Sequence, residues 1–91
     1  MSLSFEWDAQ KARTNERKHG VSFDEAATAF GDPLSVTIPD PDHSDDEGRC
    51  VLVGSTYLGR ILVVVHTDRG DNVRIISARR ATKIERRAYE H

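Results

Sequence analysis

The spacing of apolar residues divides the chain into a helical first third, a strand-rich middle and a short helical end. Between Asp8 and Gly20 the stretch Ala9 to His19 contains only Ala9 and Ala12 as apolar residues. Asp8 can cap such a helix by accepting from a free backbone N–H, and Gly20 can close it in the left-handed conformation. This helix buries a thin stripe and leaves Lys11, Arg13, Arg17 and Lys18 in water. A second helix is better marked. Ser22-Phe23-Asp24-Glu25 reads as a capping box, and Phe23, Ala26, Ala27 and Phe30 follow at i, i+3, i+4 and i+7. Gly31-Asp32-Pro33 ends it.

Alternation then replaces helical spacing. Leu34 to Ile38 predicts a half-buried strand, and Pro39 to Gly48 a loop with five acids and no base. Arg49 to Tyr57 and Arg60 to Asp68 predict two strands joined by a tight turn at Leu58-Gly59. Arg69-Gly70-Asp71-Asn72 turns the chain into a further strand, Val73 to Ala78. Turns this short imply antiparallel neighbours, because parallel ones need long crossovers. Thr82-Lys83-Ile84-Glu85 is a second capping box and opens a terminal helix, with Ile84 and Ala88 expected to face inward. The expected architecture is α+β: two amino-terminal helices and a carboxy-terminal helix on a four-stranded antiparallel sheet. One sheet face is left partly open.

Length and charge narrow the function classes. Ninety-one residues allow one domain, taken as residues 1–91. One cysteine, Cys50, excludes an internal disulfide and fits a reducing compartment. The start lacks a basic and an apolar signal region, and the longest apolar run, Ile61 to Val65, is far short of a membrane span. A cytoplasmic protein without membrane contact is expected. The net charge of −2 conceals an asymmetry. Residues 1–48 carry four basic and eleven acidic groups; residues 49–91 carry nine basic and four acidic, and eight of those nine are arginines. Such polarity points toward a polyanion, with RNA the best fit.

The segment Val73 to Thr82 concentrates that charge. Strict strand alternation sends Arg74, Ile76 and Ala78 to one face and Val73, Ile75 and Ser77 to the other. Arg79 and Arg80 then fall at the strand–helix junction. Guanidinium forks match phosphate oxygens in a bidentate way. Any one of these arginines is equally readable as a partner of Glu85, Glu90 or the acidic loop; the three together fit phosphate. His66, on the face of Leu62 and Val64, is either structural or a proton-transfer group facing the arginines. His19 closes a helix beside Lys18, and the pair can extend a basic rim. Tyr89 lies one turn after Glu85 and can stack on a base or anchor its helix. His43 and His91 have no metal-ligand spacing, and no metal or cofactor is expected.

Several of these residues also carry a family resemblance. Phe5-Glu6-Trp7-Asp8, Lys11, Asn15, Lys18-His19-Gly20-Val21-Ser22-Phe23 and Glu25-Ala26 resemble the amino-terminal signature of the BrnT family. Phe30, Asp32-Pro33, Arg49, Gly54 and Val63-Val64 continue the match. Arg74-Ile75-Ile76-Ser77-Ala78-Arg79-Arg80-Ala81-Thr82, with Glu85 and Tyr89, resembles its strongest motif. The resemblance spans nearly the whole chain. It implies a RelE-like fold and a metal-independent ribonuclease toxin of a type II toxin–antitoxin system. It further implies neutralisation by a BrnA-like ribbon-helix-helix antitoxin, through which alone operator DNA is bound. On that basis Arg74, Arg79 and Arg80 are expected to stabilise the transition-state charge, and His66 or Glu85 to move protons. Lys18, His19, Arg60 and Tyr89 are expected to hold RNA. The competing reading is a non-catalytic nucleic-acid-binding or co-repressor module acting in complex with its antitoxin.

Overall fold

Asp8 and Gly20 delimit the first helix as their chemistry requires. In the computed structural model, which describes residues 3–41 and 48–90, Asp8 Oδ1 accepts from the Lys11 N–H at 2.9 Å. Gly20 adopts φ 70° and returns its N–H to Glu16 O. The elements are β1 (Ser4–Glu6), α1 (Ala9–His19), α2 (Phe23–Thr28), β2 (Val36–Pro39), β3 (Arg49–Ser55), β4 (Ile61–Arg69), β5 (Asn72–Arg80) and α3 (Lys83–Tyr89). A 3₁₀ turn, Ala29–Gly31, follows α2.

The strands form one sheet in the order β1-β5-β4-β3-β2. The expected antiparallel meander is present as β2 to β5. The sheet is nevertheless five-stranded and mixed, because β1 pairs parallel with β5. Three residues carry too little alternation to mark β1 in the sequence. The strand expected from Leu34 begins only at Val36. The Asp32 carboxylate takes the Leu34 N–H at 2.9 Å and folds that stretch into a turn. His43 and the acids between 42 and 47 lie outside the described residues, as does His91.

Helices α1 and α2 cover one face. Val21, Phe23 and Ala26 pack on Leu62, Val64, Ile75 and Ala78 to make the core. Trp7 meets Phe23 edge-on, and Phe30 bridges Phe5 and His66, with ring centroids 4.9 Å from His66. The buried residue of α1 is Asn15, not an alanine. Beyond β1 the edge of β5 is bare, and the Asn15 side chain pairs with it like a short strand. It donates to Ala78 O at 2.8 Å and Val21 O at 3.0 Å, and accepts from the Ala78 N–H at 3.0 Å. Both amide hydrogens and one lone pair of Oδ1 are thereby used inside the fold.

A bulge corrects the expected alternation of β5. Val65 pairs with Ser77 but His66 with Ile75, so Ile76 is an extra residue. Ile75 and Ala78 consequently enter the same core, although simple alternation separates them. Arg74 and Arg79, opposite Thr67 and Val63, come to share the open face, whereas Arg80, opposite Leu62, turns to the helical side.

Helix α3 opens on the expected capping box and crosses part of the open face. The side it turns inward is only partly the expected one: Ala88 lines the cavity with Glu85 and Tyr89, whereas Ile84 is 80 % exposed. The other box is half formed. Ser22 Oγ accepts from the Glu25 N–H, but the Glu25 side chain turns away to Arg60 and Thr56.

Candidate active site on the open sheet face

The uncovered face between β2, β3, β4, β5 and α3 forms a cavity of about 560 Å³. Its floor is the apolar row Val51, Val53, Val63 and Val65. Polar groups stand at its two ends. Arg79, Glu85 and Tyr89 mark one, and Arg49 with Asp40 the other. The row positions of Val63 and Thr67 on β4 place these ends roughly 13 Å apart, at about 3.3 Å per residue.

Arg79 is the next-to-last residue of β5, four before α3 begins, so its guanidinium meets the first turn of that helix. Nη1 and Nη2 donate to Glu85 Oε1 and Oε2 at 2.8 and 2.9 Å. Glu85 Oε1 also takes the Thr82 N–H at 2.8 Å. These donors, Arg79 foremost, lower the Glu85 pKa to about 2. The carboxylate is therefore ionised throughout the neutral range.

One turn later Tyr89 donates its hydroxyl to Asp32 Oδ2. Asp32 is fixed in turn by the backbone N–H of Ser55 at 2.8 Å and of Leu34 at 2.9 Å. The carboxylate pushes the Tyr89 phenol up to about 12. Asp32 carries no signal as a site residue beyond its place in the family motif. Its role emerges only when α3 folds back over the end of β3.

The remaining candidates lie elsewhere. Arg74 is 3.0 Å from Glu6 at the far end of β5. Arg80 is exposed on the opposite side from Arg79. Arg60 forks onto the buried Glu25, with Nε–Oε2 at 2.8 Å, and ties β4 to α2. His66 is 2 % exposed beneath the helices and does not face the arginines. Its Nδ1 stands 3.4 Å from Asp68 Oδ1, and neither ring nitrogen makes a hydrogen bond among the described residues. Burial lowers its pKa. Lys18 and His19 sit exposed beside a shallow groove between α1 and β5, of which Ser77 is a wall shared with the open-face cavity.

Fold and cavity together define a small α+β protein with a guanidinium, a carboxylate and a phenol converging on an open sheet face. Such groups suit a phosphodiester. The sequence model of the family described as "Ribonuclease toxin, BrnT, of type II toxin-antitoxin system" matches residues 7–85. The chain belongs to this family, and is a ribonuclease toxin whose target is RNA and whose partner is an antitoxin. The 1.1 Å crystal structure of the Brucella abortus ribonuclease toxin BrnT is similar in fold, with a TM-score of 0.70 at 22 % identity. That likeness covers 90 % of this chain and 100 % of the other. No curated protein sequence matches the chain. No helix among the described residues is long and apolar enough to cross a membrane.

Proposed function

We propose that RNA is cleaved at the open sheet face, with Arg79, Glu85 and Tyr89 as its working groups. The supporting observation is the two-point Arg79–Glu85 contact at the rim of the cavity. Attack of a ribose 2′-oxygen on the adjacent phosphorus expels the 5′-oxygen and leaves a cyclic phosphate. Negative charge builds on the non-bridging oxygens, and fixed charge-stabilising donors such as a guanidinium beside them are usually the largest single contribution to catalysis. Glu85 aims that guanidinium and is an available acceptor for the 2′ proton. Its low pKa makes it a weak base, so Arg79 carries most of the acceleration. Tyr89 spends its proton on Asp32 and therefore offers the cavity a ring face and an oxygen lone pair, suited to positioning a nucleotide. Solvent reaches the open cavity and supplies the proton for the leaving oxygen.

In this reading the whole chain acts as one RelE-like toxin domain in the cytoplasm, and the cleavage is metal-independent. Its antitoxin is BrnA-like, with a ribbon-helix-helix part that alone contacts operator DNA. The test is single-turnover cleavage of a structureless RNA in excess chelator, with product ends identified by mass. Full activity with 2′,3′-cyclic phosphate ends is expected. Activity lost with chelator and restored by a divalent cation, or 5′-phosphate ends, would overturn the mechanism.

A further inference from the structure

Four arginines on or beside the sheet have a carboxylate next to them: Arg49 has Asp40, Arg60 has Glu25, Arg74 has Glu6 and Arg79 has Glu85. Arg80 and Arg86 differ. They are the chain neighbours of Arg79 and Glu85, and they turn away from the open face into a second concavity of about 440 Å³. Neither makes an ion pair with a described carboxylate. Arg60, Ile61 and Glu90 complete the walls. Glu25 feels the charge of Arg80 but has both oxygens bonded to Arg60. Glu90, the last residue of the α3 turn, makes no ion pair there either. Two guanidinium groups against the single Glu90 carboxylate leave the hollow with a net positive charge, which favours a further anion.

We propose that Arg80 and Arg86 form a phosphate-binding subsite for the RNA strand flanking the cleaved bond. This rests on the placement of cleavage at Arg79. A strand held at Arg79 need only pass over the end of β5 to reach Arg80, because consecutive strand residues point to opposite faces. The subsite thus grips the backbone without reading sequence, as phosphate contacts do.

The experiment measures binding of a fluorescent 2′-O-methyl twelve-nucleotide RNA, which cannot be cleaved, to wild type and to the R80Q/R86Q double variant across salt concentrations. Both side chains are exposed, and melting curves check that the fold is kept. Loss of two phosphate contacts should flatten the plot of log affinity against log salt by about 1.4, at roughly 0.7 per contact on single strands. Affinity at low salt should fall on the order of ten-fold. The loss in kcat/KM should also grow from a dinucleotide to the twelve-nucleotide RNA with its natural 2′-hydroxyls. An unchanged slope and affinity would overturn the subsite. So would retained RNA binding with weakened antitoxin binding, since it would make the two arginines a protein contact. The non-cleavable probe reports on the subsite even if cleavage at Arg79 fails its own test.

Discussion

Arg79 and Glu85 hold each other through two parallel contacts of 2.8 and 2.9 Å, six residues apart across the junction of β5 and α3. The pair fixes a guanidinium at the rim of the open cavity and closes the capping box of α3 with the same carboxylate. Stability and catalysis therefore meet at Glu85, and they should separate by magnitude. Both side chains are a third or more exposed, so the pair itself adds little to stability. Glu85→Gln should lower cleavage by about 100-fold, the lower end of what a positioned proton-transfer group supplies, while unfolding by urea shifts only slightly.

The same carboxylate gives a pH dependence. Its folded pKa is depressed, so its contribution is complete above the ordinary value of 4.5 and is lost as pH falls through about 2. The melting-temperature gap between wild type and Glu85→Gln should be constant near neutrality and close across that window. A gap that stays constant down to pH 2 would show that Glu85 is not held by Arg79 in solution.

Tyr89 can be followed through its own absorbance. In a Tyr57→Phe background it is the one tyrosine left, and its phenolate should appear near pH 12. Its raised folded pKa means the Asp32 contact contributes fully below the ordinary value of 10 and is lost as pH rises through about 12. Adding Asp32→Asn should return the midpoint toward 10. A midpoint unmoved by that change would remove Asp32 as its partner.

Asn15 should be among the costliest residues to replace. Asn15→Ala strands the Ala78 N–H and C=O and the Val21 C=O inside the fold. At roughly 1–3 kcal/mol for each buried unsatisfied group, partly relieved by water, a loss of about 3 kcal/mol in urea unfolding is expected. Asn15→Asp should be no better, because it keeps the acceptor and loses both donations.

His66 separates a structural from a catalytic histidine. Its ring meets Phe30 edge-on and its nitrogens lack hydrogen bonds among the described residues. His66→Phe should keep RNA cleavage within about two-fold and leave stability equal or higher, since an apolar ring of similar shape removes unmet polar atoms. The depressed folded pKa predicts that wild type loses stability as pH falls through the ordinary value of 6.5, and that the variant does not. Cleavage abolished in a folded His66→Phe would return this residue to the active site.

Local chemistry was legible wherever one residue type admits one role. Gly20, Asp8 and Thr82 mark helix ends through hydrogen bonds made within four residues, and the helices begin and end there. The antiparallel pairing of β3, β4 and β5 follows from their short turns, and the terminal helix from its capping box. Relations set by distant segments were not legible. The bulge at Ile76 leaves no mark in a run of β-formers, yet it moves Arg74 and Arg79 to one face and Arg80 to the other. Ile84 looks like a core residue by composition, but the Arg79–Glu85 pair fixes the rotation of α3 and turns it outward. The row of three arginines is thus split among three surroundings. Asn15 and Asp32 were visible as family residues while their partners, 63 and 57 positions away, were not.

The placement of the active site rests most directly on Arg79. Single-turnover cleavage of a structureless RNA by purified Arg79→Gln, compared with wild type at matched folding, tests it. A drop of at least about 100-fold is expected, the usual effect of removing one charge-stabilising donor. Cleavage within three-fold of wild type, on the order of RT rather than of a lost donor, would contradict a centre built on Arg79 and Glu85.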